Sequence, residues 1–363
     1  MSERVADEPR LWLLMGHKAG DNAQVEALAE AVGWPAETKR FVYRRTELLT
    51  NRLLGVTLRG IVPAASSALA PPWPDIVVTA GRRNEPVARW IQRQAAPGKR
   101  VRLVHLGRPW APLDAFDLVV TTPQYHLPAR ANVLLNRLPL HRISPERLLQ
   151  AADVWRPRLQ DLPRPWFSVL VGGSAGPYRF DAVAARRLAR EAGRQAASAG
   201  GSLLVTTSAR TDAAAADALA AALDVPHRLH RWKPADPDNP YLGFLALADA
   251  QIVTAESMSM VAEACATGKP VYLFDLGEGW RALRRDRGGW LDGRDAFDRG
   301  AFGLRLFRDF GPRRMARDVR LILDRLLAER RVAWLGEGEP SPAVSPPDDV
   351  ERAAARVRAL LQP

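Results

Sequence analysis

Hydrophobic residues along this chain fall into short continuous runs separated by polar turns and helical stretches. Residues 11–15 are apolar at every position and stop at Gly16, the pattern of a strand buried on both faces. A helix is expected over 22–32, ended by Gly33 and Pro35. Residues 41–62 carry arginines at 45, 52 and 59, seven apart among leucines. They are expected as one basic helix, or two short ones broken near Gly55. Further strands are expected at 75–80, 101–106 and 116–121, with a helix over 85–94 between the first two. Such alternation predicts a doubly wound parallel sheet.

Residues 156–165 hold three prolines and no period, which suits an interdomain linker. The pattern then restarts. A strand at 167–171 runs into Gly172-Gly173-Ser174 and a helix over 181–197. Strands at 202–207 and 227–232 bracket an alanine-rich helix over 212–223. Strands at 251–254 and 271–274 bracket a helix that stops at Gly268. A charged helix is expected over 312–331, a Pro/Gly/Glu-rich stretch over 336–347, and a last helix over 348–361. The fold class expected is α/β: two Rossmann-like doubly wound lobes, 1–158 and 159–330, facing a central cleft. A tail and helix, 331–363, is expected to cross back to the first lobe.

Composition narrows the classes. A length of 363 residues suits two domains, and 47% hydrophobic with 25% charged residues is ordinary for a soluble protein. The single cysteine, Cys265, leaves no disulfide framework or cysteine-rich zinc site, and it reads as a buried structural thiol. The charged start lacks an apolar signal core, and no run of about 18 apolar residues exists. The expected location is cytoplasmic. The net charge of +12 falls mostly in residues 1–165, which suits an anionic partner such as the inner face of the cytoplasmic membrane. A solvated arginine-rich surface explains it equally well. No aromatic platform interleaves with basic residues, so nucleic acid is not expected.

Chemistry concentrates at strand ends. In an open α/β sheet, ligands gather at carboxyl ends of strands, and helix starts bind anions. After the strand at 251–254, Ser257, Met258 and Ser259 open a helix that carries Glu263 on the face of Ser259. Phosphates resting on that helix start would leave ribose hydroxyls within reach of Glu263. Gly172, Gly173 and Ser174 form a second phosphate-wrapping turn, with Arg179 as a candidate charge and the 206–210 cluster beside it. In the first lobe, residues 16–24 include His17, Lys18, Asp21 and Gln24. Asp21 or His17 is the candidate general base, and helix capping by Asp21 or Asn22 is the competing structural reading. Arg82, Asn84, His105 and Gln124 lie at three other strand ends and, with Lys18 and Gln24, are candidates for an acceptor pocket. Asp236-Pro237-Asp238 imitates a metal motif without further carboxylates, so no metal is expected.

Residues 14–21, Ala80-Gly81-Arg82-Arg83, Asn239-Pro240-Tyr241 and residues 254–270 together resemble the "elongated mitochondria" family. That family comprises the mitochondrial fission protein of plants and bacterial homologues of the GtrOC glycosyltransferase type. The resemblance covers about residues 10–330 and implies a two-lobed GT-B fold. The chain is also similar, more distantly, to the lipid-linked N-acetylglucosaminyl transferase of peptidoglycan synthesis. The shared features are a Gly-Gly-Ser turn and a glutamate five residues before Gly-x-Pro, here Glu263 before Gly268-Lys269-Pro270. These likenesses imply transfer of a sugar from a UDP-sugar or other nucleotide sugar to a hydroxyl acceptor, such as a lipid-linked or cell-envelope glycan, with no cofactor. They place the donor on the second lobe and the acceptor on the first, with Asp21 or His17 as base. The alternatives are a non-catalytic, membrane-peripheral adaptor and a sugar-nucleotide epimerase on the same fold.

Overall fold

The computed structural model describes residues 8–45, 55–96, 98–277, 282–284, 317–341 and 348–362. The chain divides into two compact units, Met1–Arg142 with Asp348–Pro363, and Ile143–Pro347.

Unit 1 is built on a six-stranded parallel sheet in the order β2-β1-β3-β4-β5-β6. The strands are β1 (Leu11–Met15), β2 (Ala36–Arg40), β3 (Ile76–Ala80), β4 (Arg102–Leu106), β5 (Leu118–Thr121) and β6 (Val133–Leu135). Its helices include α1 (Ala19–Val32) and α2 (Glu85–Ala95). The continuous apolar run of β1 has a simple cause. Leu11, Leu13 and Met15 enter one core with α1, while Trp12 and Leu14 enter another with α2. Alternate side chains point to opposite faces, so a strand covered on both sides needs apolar residues throughout.

Three parts of unit 1 depart from the sequence reading, the short edge strand β6 among them. Strand β2 was not anticipated, because an edge strand needs no apolar run. Its one buried residue is Lys39, whose ammonium sits 4.0 Å over the Trp12 ring and donates to the Ala68 carbonyl at 2.9 Å. Residues 46–54 lie outside the described residues, so the expected basic helix is tested only at its ends. Residues 41–44 and 55–62 are not α-helical, and an antiparallel bridge joins Tyr43 to Ile61.

Unit 2 carries a second six-stranded parallel sheet, in the order β12-β11-β10-β7-β8-β9. Its strands are β7 (Trp166–Leu170), β8 (Ser202–Thr206), β9 (His227–His230), β10 (Ala250–Thr254), β11 (Val271–Phe274) and β12 (Ala333–Trp334). Its helices are α3 (Pro145–Trp155), α4 (Ala182–Ser198), α5 (Ala213–Ala221), α6 (Tyr241–Leu247), α7 (Met258–Ala266) and α8 (Arg320–Ala328). Of the charged helix expected over 312–331, residues 312–316 lie outside the described residues.

Unit 2 begins at Ile143, earlier than the expected boundary after residue 158. Helix α3 is the reason. Ser144 caps it by accepting the Arg147 amide at 3.3 Å, and Trp155 stacks edge-on against Phe244 of α6. The proline-rich stretch that follows is no free linker, since Leu159 is fully buried with Ala152, Phe244 and Leu247.

The last helix, α9 (Asp349–Arg358), belongs to unit 1 and packs on α1. Asp349 accepts the amides of Arg137 and Leu138, each at 2.9 Å. The Arg358 guanidinium donates to the Ala31 and Val32 carbonyls that end α1. A cation suits that end of a helix, where carbonyls lack partners and the dipole is negative. Residues 331–341 stay in unit 2, so the expected 331–363 segment is divided between the units.

Contact between α3 and α6 depends on Gly243, where an added Cβ would collide with the Trp155 ring and lie 2.7 Å from Trp155 Cβ. Alanine favours helix by about 1 kcal/mol over glycine, yet the overpacking dominates. Gly243→Ala is expected to destabilise unit 2 by about 1–2 kcal/mol. The measurement is a lowered urea midpoint with an unchanged slope.

Candidate functional site

Strand order in unit 2 reverses between β7 and β10. Loops leaving neighbouring strands diverge there and open a crevice at the carboxyl edge. Three strand ends meet at this point. After β10, the Gly172 amide's acceptor is already set, because Thr254 Oγ1 receives that N–H at 2.8 Å. After β8, the Ser208 hydroxyl donates to the Gly172 carbonyl, and Arg210 bridges in parallel with Gly173. Gly173 takes φ 99°, a conformation open to glycine. Arg210 then reaches across the turn. Its Nη2 lies 3.1 Å from Ser257 Oγ and 3.3 Å from Glu256 Oε1, and Nη1 lies 3.5 Å from the Ser174 carbonyl. A Cβ at Gly172 would collide with Glu256 Oε1 and lie 2.6 Å from Ser257 Cβ.

Helix α7 starts against this turn. Its first amides, at Met258, Ser259 and Met260, have no carbonyl of their own helix to bond, and the helix dipole adds positive potential. Ser257, at the N-cap, makes no side-chain cap of its own and accepts from Arg210 instead. Glu256 is 1% exposed; burial pushes its carboxyl up to about 7, and the Arg210 charge opposes the rise. Ser257 and Met258 are buried, and Ser259 is half-buried. Arg210 and Glu256 were not singled out as site residues from sequence. The only signal was a polar cluster ending β8, because the parallel bridge that carries Arg210 to the turn joins distant segments.

Other candidates in unit 2 take different places. Ser174 Oγ accepts the Phe180 amide at 3.0 Å and closes the Ala175–Tyr178 bridge, while Arg179 is exposed beyond it. On α7, Glu263 receives the hydroxyl of Tyr241, the first residue of α6. Burial pushes Glu263 up to about 7, and that hydrogen bond opposes the rise. Burial and the Glu263 charge raise the Tyr241 hydroxyl well above its ordinary value. Lys269 caps α6, donating to the carbonyls of Leu245, Ala246 and Ala248 at 3.3, 2.6 and 2.7 Å. Thus residues 254–259 form the turn, and Glu263 and Lys269 tie α7 and its exit to α6. Cys265 is buried, and burial pushes its thiol up to about 11. Among the described residues no group of three or more His, Cys, Asp or Glu is placed to hold a metal.

Unit 1 has its own switch point, between β1 and β3. Asn22 closes the turn after β1, its Oδ1 accepting the Gly16 amide at 2.8 Å and its Nδ2 donating to the Gly16 carbonyl at 3.0 Å. That leaves Asp21 facing Gly81, where a Cβ would lie 3.2 Å from Asp21 Oδ2. His17 and Lys18 are exposed, and the His17 ring packs on Tyr43 with centroids 4.4 Å apart. Arg82 lies over the Trp110 ring at 5.1 Å. Gln24 is half-buried and donates to the Gly20 carbonyl at 3.3 Å.

Three acceptor-pocket candidates are internal. Asn84 is fully buried, bonding the Leu14 carbonyl at 2.9 Å and the Tyr43 hydroxyl. His105 is fully buried between Phe116 and Glu85. Gln124 is 2% exposed and donates to Thr122 Oγ1 at 2.9 Å. Each lies at the expected strand end, with its side chain buried in the protein.

Gly172→Ala is expected to cost about 1–3 kcal/mol and to move Arg210 off the turn; thermal unfolding gives the cost. A pH effect follows from the raised carboxyls. Folded Glu263 keeps its proton above the ordinary value of 4.5, where the unfolded chain has released it. Its contribution is full below that value and is lost as pH rises to about 7. Glu263→Gln should therefore flatten the fall in Tm between about pH 5 and about pH 7.5.

Solved structures with similar architecture include UDP-GlcNAc 2-epimerase of Neisseria meningitidis, at TM-score 0.46 and 11% identity, covering 97% of this chain and 99% of that one. MurG of Acinetobacter baumannii aligns at TM-score 0.43 and 14% identity over 97% and 100%. The ADP-heptose heptosyltransferase II of E. coli aligns at 0.42 and 13% over 88% and 99%. Mitochondrial fission protein ELM1 of Arabidopsis thaliana is 30% identical over 243 residues, 61% of this chain. The match spans 56% of that relative's length. The family profile described as Mitochondrial fission ELM1 matches residues 19–288, most of the chain, and the chain belongs to that family.

Proposed function

We propose that unit 2 binds the diphosphate of a nucleotide sugar and that the protein transfers the sugar to a hydroxyl acceptor. One observation carries the reading: the Arg210 guanidinium, the Gly172–Gly173 backbone and the start of α7 converge at the β7/β10 switch point. A cation, a close-approaching backbone and unpaired helix amides are the three features that phosphate binding uses. In this reading the first turn of α7, through Ser257, Met258 and Ser259, meets the phosphates. Arg210 takes the role that the sequence reading gave to Arg179. Glu263, with one oxygen held by Tyr241, presents the other to the ribose.

The chemistry is a displacement. The acceptor oxygen bonds the anomeric carbon, the bond from that carbon to the diphosphate breaks, and the diphosphate leaves with the electron pair. A general base takes the acceptor's proton, the role the sequence reading gave to Asp21 or His17. Helix amides and Arg210 stabilise the charge on the departing diphosphate. A UDP-sugar is the donor proposed, and a lipid-linked or cell-envelope glycan the acceptor. Among the described residues no helix is long and apolar enough to cross a membrane. For a membrane-bound acceptor, the basic residues of unit 1 suit the anionic inner face.

A second reading rests on the plant relative, which is named a mitochondrial fission protein. It makes the chain a non-catalytic adaptor. A thermal-shift panel of UDP, GDP and ADP separates the two. Transfer predicts a rise in Tm with one base over the others, and Arg210→Ala should weaken that binding about ten- to hundredfold. No shift with any nucleoside diphosphate overturns the transferase reading and favours the adaptor.

A further inference from the structure

The proposed phosphate seat already contains a negative charge. Glu256 precedes the N-cap of α7, and its carboxylate fills the space that a side chain at Gly172 would need. Oε1 accepts from Arg210 and Oε2 is buried; hydrogen bonds from Thr254 and from its own backbone N–H support the charged form, and burial outweighs them. The same Arg210 nitrogen serves Ser257 Oγ. The charged groups facing Glu256 are Arg210, from the loop after β8, and Arg317, from the segment leading into α8. Its polar neighbours are Thr254 and Ser257. A buried carboxylate beside a helix start, paired with an arginine, occupies the electrostatic place of a bound anion.

A diphosphate arriving at α7 changes both supports of that charge. It competes for the Arg210 N–H groups, and it adds like charge beside an acid that is already desolvated. Each effect favours the neutral carboxyl. We infer that binding of a nucleoside diphosphate at this seat is coupled to uptake of one proton from solvent by Glu256. The proton forms an O–H bond at the carboxyl, and no other bond changes. An acceptor-only carboxylate becomes a hydrogen-bond donor, which a phosphate oxygen can use. Glu256 is thus a positioning residue that sets the charge the seat accepts. Burial pushes its carboxyl up to about 7 in the free protein, so the coupling operates from neutral pH upward. This inference rests on the diphosphate reading of unit 2.

The test is calorimetric titration of the full chain with UDP at about pH 8, where the diphosphate is fully ionised. Titrations run in two buffers with different heats of ionisation. The expected result is uptake approaching one proton per UDP, with affinity falling about tenfold per pH unit above about pH 7. Glu256→Gln should bind about tenfold tighter than the natural chain at about pH 8 and take up no proton. UDP binding by the natural chain without proton uptake overturns the coupling and leaves the transferase reading standing. Uptake that persists in Glu256→Gln places the proton elsewhere and also overturns it. If UDP, GDP and ADP all fail to bind, the diphosphate reading itself falls, and the coupling with it. Should Glu256→Gln not fold, Glu263→Gln decides: uptake that persists there supports Glu256, and uptake that is lost there overturns the coupling.

Discussion

The candidate site depends on one close approach of backbone to backbone. Gly172 has no side chain, and so the end of β7 can lie directly against the segment that follows β10 and the loop that follows β8. Position 172 is already spanned by Thr254 Oγ1, by the Ser208 hydroxyl and by the Arg210 guanidinium. A methyl group there would push against a carboxylate, a serine Cβ and a guanidinium together. The parallel order of the sheet makes the approach possible, because β7 and β10 are neighbours whose helices leave in opposite directions. Everything proposed for unit 2, from phosphate contact to proton uptake, follows from that packing.

The two switch points use their polar residues differently. In unit 1, Asn22 satisfies the turn backbone, and Asn84, His105 and Gln124 are drawn inside. Asp21 and His17 then remain at the surface of the turn. In unit 2, the polar groups converge on the turn itself, and the carboxylate among them is buried against a guanidinium. Buried charge of this kind is costly unless a partner offsets it. Burial at this strand-to-helix turn is what raises Glu256, and the Arg210 charge opposes the rise.

Much of the fold was legible because strands covered on both faces must be apolar throughout, as in residues 11–15 and 271–274. Edge strand β2 escaped notice, since only Lys39 of its five residues is buried. Helix α3 was hidden by the prolines beside it, and so the unit boundary was placed too late. Gly172, Gly173 and Ser257 were legible as candidates because a glycine turn and a helix start have local signatures. Glu256 was not, and Arg210 only as the last residue of the 206–210 cluster, because their meeting depends on strand order, which no local pattern encodes. The burial of His105 and Asn84 was equally hidden. A strand end is visible in sequence, but the direction in which its last side chain turns depends on the neighbouring loops.

The attachment of α9 to unit 1 has a consequence for how the protein is made. Unit 2 is one unbroken stretch of chain and can close as soon as it has left the ribosome. Unit 1 is started first and finished last, because the amides of Arg137 and Leu138 and the carbonyls ending α1 wait for Asp349 and Arg358. Domains tend to fold as units during synthesis. Here the first sheet must hold an unsealed face, with Leu11, Leu28 and Val32 beside it, until the last helix arrives. That interval is the part of its biogenesis most exposed to chaperones and to aggregation.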